Sequence, residues 1–368
     1  MEETTFCNTD VNNKNLHIKN GERYERNKKR FETGWFRNLS SFSHLSMMDY
    51  PIVTIPVVVH VLYKQEIENI SDEQIHSQID VLNKEFRNQN NNDIDKVPEV
   101  WRHLVADTRI EFKLAVKDPE GKPTTGITRT KTDNEEFLHG TDSNREPLPE
   151  NMKHSEHGGK GAWDTSRNLN IWVCNLLSSD DGQIMRGVIG YAQFPDVGDP
   201  DEDGLVMRYD AFGTVGEVRP PLHLGRVTVH EIGHYLGLYH IWGDVSDIPE
   251  DNLCSMTGDN IEDTPNQSWF NRGKPRYPSN AESCPDTDRE HGTMFMNHMD
   301  YTDDEIRCMF TLGQTIRMRY TLQNSRRLLI QNDVLISPKE QSSLSDLRKL
   351  PPKAYDGVGE TVKIEKLL

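Results

Sequence analysis

Residues 230–240 read His230-Glu231-Ile232-Gly233-His234-Tyr235-Leu236-Gly237-Leu238-Tyr239-His240. On a helix His230 and His234 stand one turn apart, so both imidazoles face the same way. Glu231 sits at the edge of that face. Gly237 lets the chain leave the helix, because glycine takes positive φ without a Cβ clash. His240 then swings back as a third nitrogen ligand. Three neutral imidazoles with one open position are the ligand set of a catalytic zinc, and Glu231 is placed to take a proton from zinc-bound water. The plain alternative is a helix with stray surface histidines. Chance would bring these five fixed positions together in on the order of one such chain in ten thousand, so zinc is the preferred reading. A structural zinc normally closes its shell with a fourth Cys or His, and none stands nearby at helical or short-turn spacing.

Upstream of this motif the text alternates strand and helix signals. Ile52 to Tyr63 (IVTIPVVVHVLY) is β-branched and nearly continuous, as a buried strand should be. Ser71-Asp72-Glu73-Gln74 reads as a capping box opening a helix whose apolar face is Ile75, Ile79, Leu82 and Phe86. Further strands are expected at Arg109–Val116, Leu169–Leu176, Ile189–Phe194 and Gly204–Tyr209, with loop across 117–165 and a long helix near 222–238. That order describes an α/β sheet backed by helices. Downstream, residues 243–298 are rich in Asp, Asn, Pro and Gly, so irregular structure held by cross-links or metal is expected. A last helix is expected from about Leu312 to Ile330, followed by a polar tail with Pro351-Pro352.

The 368 residues suit one large domain with an accessory segment. No apolar run approaches the ~18 residues of a membrane span, and a formal charge of −17 argues against nucleic acid or an anionic membrane as main partner. A monomer is expected. Residues 1–50 differ in composition from the rest. They carry eight basic and seven acidic side chains, and between Lys14 and Arg37 the balance is eight to three. This arm reads either as a solvated tail or as a segment that docks on the acidic body. The first residues contain no apolar stretch of the kind a secretory signal has. A trimmed signal, another export route and an intracellular enzyme all remain open. The five cysteines are too few for a disulfide scaffold, and their odd number leaves at least one unpaired within the chain. Cys174 alternates within a strand and reads as a buried free thiol.

The extended histidine motif resembles that of the metzincin metallopeptidases. HEIGHYLGLYHIWGD at 230–244, GDNIEDTPNQ at 258–267 and MFMNHMDYTDDE at 294–305 look like the pappalysin family. TIPVVVHVLY, ISDEQIHSQIDVLNKEFR and LNIWVCNL extend the likeness, which covers roughly 52–325. The resemblance implies a metzincin-like α/β (α+β) fold. Its upper part, 51–240, would hold a twisted sheet and the zinc helix. Its irregular lower part, 241–331, would hold the Met-turn. Residues 1–50 would be a prosegment and 332–368 a polar tail. The implied enzyme is a secreted zinc endopeptidase that hydrolyses protein or peptide bonds and is made latent. Rival readings are an inactive zinc-binding interaction module and an intracellular or injected protease toxin.

Carried over residue by residue, Met299 would floor the metal site and Tyr301 would donate to the oxyanion. Substrate would pair with an edge strand, here Gly190-Tyr191-Ala192. A calcium ion would bind at Asp259, Glu262, Asp263 and Thr264, residues that by themselves read as an acidic turn. Asp304, in the acidic run Thr302–Glu305, would lie near the floor of the pocket after the scissile bond and select Arg or Lys. The family usually has two disulfides in the lower part. Cys254 and Cys284 match both members of one of them and would pair here, the other pair being absent together, leaving Cys308 free; Cys284–Cys308 is the rival pairing. Family prosegments often block the zinc with a Cys-Gly-Thr cysteine. Cys7-Asn8-Thr9 matches with Asn for Gly, and Asn tolerates the left-handed φ such a turn needs. A dangling thiol is the other reading of Cys7.

Overall fold

The computed structural model describes residues 7–42, 50–90, 93–185, 187–243, 254, 258–331 and 335. The expected tail at 332–368 lies, apart from Leu335, outside the described residues, as do 43–49 and most of 244–257.

The spine is β1, Val53–Tyr63. Its β-branched run is buried on both faces, with Ile55, Val57, Val58, Val59 and Val61 fully enclosed. Along one edge its first half pairs in parallel with β2 (Ile110–Leu114) and its second half with β3 (Ile127–Lys131). Its other edge pairs in parallel with β5 (Leu169–Cys174), and β9 (Leu205–Arg208) follows. Antiparallel β8, Gly190–Ala192, closes the row.

Parallel neighbours need crossovers. Helix α3, Asp72–Phe86, and the one-turn α4, Glu99–Arg102, link β1 to β2; the Ser71 hydroxyl caps α3 by accepting the Gln74 N–H at 3.2 Å, and its expected apolar face is buried. Helix α5, Arg226–Tyr235, is buried at every position against the same core.

Several boundaries differ from expectation. The 117–165 stretch contains β3 and also β4, Phe137–Gly140. Strand β3 (Ile-Thr-Arg-Thr-Lys) is half-exposed and polar, which hides it in composition. Leu169–Leu176 is not one strand. It breaks at Asn175, and β6 (Leu176–Asp180) joins a second sheet with β4 and β7 (Gln183–Met185). The helix expected from 222 starts only after Gly225, whose φ of 72° is left-handed. The last helix, α6, spans Leu312–Asn324 and gives way to a 3-10 turn at Arg327–Ile330.

The arm is not a solvated tail. It forms α1 (Thr9–Asn20) and α2 (Glu22–Phe42), and both lie on the body. The expectation that its basic charge holds it down is corrected. Lys14, Lys19, Arg23, Arg26, Lys29, Arg30 and Arg37 are exposed. The buried contacts are apolar on α2, with Glu32 paired to Arg317, and largely polar on α1, through Thr9, Asn12 and Asn15.

A candidate metal centre closed by the N-terminal arm

Helix α5 sets His230 and His234 one turn apart, their rings 4.7 Å from centre to centre. The helix ends at Gly237, φ 89°, where a Cβ would meet Thr321 Oγ1 at 2.8 Å and Phe31 Cζ at 2.9 Å. The turn carries His240 back until its ring is 4.4 Å from that of His234. The Nε2 atoms of His230 and His240 then lie 3.0 and 3.1 Å from Nε2 of His234.

The other ring nitrogens fix the tautomers. Nδ1 of His230 donates to the His298 carbonyl and Nδ1 of His234 to the Leu238 carbonyl, both at 2.7 Å. Carbonyls only accept, so the hydrogen sits on Nδ1 and the Nε2 atom of each ring carries a lone pair. Lone pairs of buried imidazoles converging at 3 Å repel unless a cation lies between them. The three histidines therefore fit zinc. Burial, and after it the neighbouring imidazoles, keeps His230 and His234 well below the usual histidine range. His240 has its Nδ1 3.1 Å from Asp10 Oδ2 and stacks on Trp242 at 4.3 Å.

Met299 lies fully buried against α5. A Cβ on Gly233 would sit 2.4 Å from its sulfur, so the glycine between the two helical histidines is what admits the thioether. The Met299 N–H is held by Asn297 Oδ1 at 2.9 Å.

The arm enters the same space. Cys7 Sγ and one nitrogen from each of His230, His234 and His240 all lie within 4.8 Å of one another. Cys7 Sγ is 3.4 Å from Glu231 Oε2, and the Thr9 hydroxyl donates to that oxygen at 3.0 Å. Burial pushes the Glu231 carboxyl up to about 8, against the lowering bonds from Cys7 and Thr9. Cys7 pairs in parallel with Gly190 of β8, through Asn8 N–H to the Gly190 carbonyl at 2.9 Å. The Ala192 N–H donates to Thr9 Oγ1 at 2.9 Å, and Asn12 donates to the Ala192 carbonyl at 3.0 Å. The Tyr301 hydroxyl lies 3.1 Å from His240 Nε2 and donates to the Cys7 carbonyl at 3.2 Å. Asn8 does not use the left-handed φ expected of it: its φ is −107°, and α1 begins at the next residue.

Cys254 and Cys284 are bonded, while Cys174 and Cys308 are buried free thiols. Asp259 Oδ1 accepts from Thr264 Oγ1 at 2.7 Å and from the Ile261 N–H at 3.1 Å, leaving Oδ2 buried with no hydrogen bond among the described residues. Asp263 is turned to the start of α6, where Thr311 Oγ1 and the Gly313 N–H bind it at 2.6 and 2.8 Å. Glu262 is exposed.

Asp304, expected near the floor of a pocket, already has partners. It is fully buried, Arg307 donates to Oδ1 at 2.5 Å, and the Leu224 N–H donates to Oδ2 at 2.8 Å. Sequence reasoning gave no role to Thr9, Asp10, Asn12 or His298. Thr9 and Asp10 could have been found as sequence neighbours of a metal-directed Cys7; nothing in the sequence pointed to the carbonyl of His298.

Two histidines and a glutamate on one helix, a third histidine beyond a glycine turn and a methionine beneath define a metzincin zinc peptidase. The family model described as pregnancy-associated plasma protein-A matches residues 154–323. Among solved structures, a variant of Tannerella forsythia promirolysin is 40% identical, with 89% of this chain and 97% of that chain covered and a TM-score of 0.70. Mature mirolysin of Tannerella forsythia in complex with a cleaved peptide is 44% identical, with 77% and 97% covered and a TM-score of 0.66. An extracellular metalloprotease of Arthroderma gypseum is 28% identical over 288 residues, 77% of this chain and 76% of that protein. The chain belongs to the pappalysin family and is a metallopeptidase.

Proposed function

We propose that this protein is a zinc endopeptidase kept latent by its own N-terminal arm, with residues 1–50 as prosegment, 51–331 as catalytic domain (upper part 51–240, lower part 241–331) and 332–368 as tail. The observation that carries the reading is the convergence of Cys7 Sγ with the three histidine nitrogens inside 4.8 Å. His230, His234 and His240 would hold a zinc ion, which would supply a Lewis acid and lower the pKa of water at the site to about 7. Glu231 accepts the proton of the attacking water and returns it to the leaving amine. Tyr301 donates to the oxyanion; its bond to the Cys7 carbonyl, a peptide carbonyl lying at the site, supports that role. Met299 floors the site. Substrate occupies the edge of β8 that Asn8, Thr9 and Asn12 now hold. Cys7 blocks the fourth metal position.

The extracellular metalloproteases among the relatives support secretion. The orphaned Asp259 Oδ2 beside Thr264 supports a calcium ion there. Selection of Arg or Lys after the scissile bond rests on the acidic run Thr302–Glu305. Asp304 retains lone pairs after meeting Arg307 and Leu224, so a substrate cation would share it rather than claim it alone.

Metal analysis and peptide hydrolysis test the reading together. Glu231→Ala keeps one zinc per chain and loses turnover, and full-length Cys7→Ala cleaves peptide before any processing. Loss of zinc with Glu231, or equal early rates for Cys7→Ala and wild type, would sink the respective role. An apolar preference after the scissile bond, read by mass spectrometry on denatured protein, would remove the specificity.

A further inference from the structure

Behind the metal centre the arm makes a second, independent contact. On α2, Phe31 and Trp35 are four residues apart and face the body, where they join a buried cluster with Ile316 and Tyr320. Glu32 stands between them and is the charge that α2 buries against the body. Arg317 donates to it through both terminal nitrogens, at 3.0 and 2.5 Å, and the Tyr239 hydroxyl donates at 2.9 Å. The Arg317 side chain is fully buried, Glu32 is 17% exposed, and the guanidinium lies 5.3, 5.6 and 4.9 Å from the ring centres of Phe31, Trp35 and Tyr239. The fit is steric as well: a Cβ on Gly34 would meet the Tyr320 hydroxyl at 2.2 Å. Arg317 Nε also donates to the Gly237 carbonyl at 2.7 Å, in the turn that presents His240.

This is a groove built to read one carboxylate flanked by two aromatic rings on a helix. When the arm leaves, Arg317 keeps its bond to Gly237 and exchanges Glu32 for water; rebinding restores a two-pronged ion pair shielded by Phe31 and Trp35. We propose that the Arg317–Tyr239 groove is a carboxylate-reading docking site that goes on binding α2 after the arm is cut from the body, independently of Cys7. The proposal rests on the latent-protease reading for its meaning but not for its measurement. The occupant is the arm itself, because Glu32, Gly34 and the spacing of Phe31 and Trp35 each match a feature of the groove. The exposed basic residues of α2 take no part in it.

The test uses protein whose arm has been cut from the body by an added protease and removed, and a fluorescent peptide spanning Glu22–Phe42, which lacks Cys7. Anisotropy reports binding whether or not the enzyme cleaves anything. The native peptide should bind, and Glu32→Gln should weaken it by about tenfold or more. Gly34→Val, which keeps every charge, should weaken it as well. On Arg317→Met enzyme the native and Glu32→Gln peptides should bind alike. If a scrambled peptide or the Glu32→Gln peptide binds wild-type enzyme as tightly as the native one, or if no binding appears up to about 1 mM, the proposal falls. Binding with no hydrolysis by the same enzyme would instead overturn the catalytic reading and leave the groove standing.

Discussion

The metal cluster lies between two walls of different construction. On one side stand α5 and the sheet, a continuous apolar core in which Val57, Ile171, Leu205 and Ile232 are fully enclosed. On the other side, between Tyr235 and Leu312, the described residues contain no α-helix or β-strand. That wall combines a smaller apolar cluster around Trp242, Met294 and Met309 with buried ionic and polar pairs, Arg307 with Asp304 and Asp300 with Asn271 and Gln267, and one disulfide. Apolar packing is non-directional and loses energy in proportion to what is removed. A buried ion pair is specific, and losing one partner leaves the other charge uncompensated. The sheet wall should therefore tolerate graded change and the loop wall should not.

The largest expected effect belongs to neither wall. Glu231→Gln should lower turnover of the activated enzyme by about a thousandfold while the melting temperature and zinc content stay near wild type. A large fall in melting temperature would mean that Glu231 carries structure as well. Next comes Arg307→Met, which leaves Asp304 buried and unpaired and should cost about 3–5 kcal/mol by denaturant titration. Replacing both members by Met and Leu should recover most of that loss; if the double variant is as unstable as the single, the loop wall does not depend on the pair.

A smaller effect is a pH dependence on the sheet wall. His60 is buried in β1 between Thr128 Oγ1 at 2.8 Å and Asn170 Oδ1 at 3.0 Å. Burial, with nearby Lys160 adding to it and the Asn170 bond opposing it, lowers its pKa to about 4. Between the unfolded value near 6.5 and about 4 the unfolded chain takes a proton that the folded one refuses, so stability falls as pH drops through that window. The loss approaches about 3 kcal/mol by pH 4. His60→Gln should flatten the slope of stability between pH 7 and 4.5; an unchanged slope would clear His60. Smallest is Ile171→Val, at about 1 kcal/mol, against which the Arg307 result is to be set.

What could be read in the sequence follows the same division. Strand β1 and the apolar face of α3 were legible because burial imposes a pattern on consecutive residues, and the histidine motif because helical spacing fixes which side chains meet. Strand β3 was missed because Arg129 and Lys131 face outward on a half-exposed edge. The state of Asp304 was missed because its partners, Arg307 and the Leu224 N–H, meet it only once the loops fold. The docking of the arm was misjudged for a related reason. Its seven exposed cations dominate the composition, while the one buried carboxylate, Glu32, meets a residue 285 positions away.

The short strand β8 is the outermost strand of its sheet, and such a rim offers unpaired amides and carbonyls to any extended chain, including another copy of the same molecule. Here Asn8, Thr9 and Asn12 bond to Gly190 and Ala192 at every point described. The arm is thus also an edge cover. While it is in place, the molecule presents no open rim at β8 on which a neighbouring chain could add a strand.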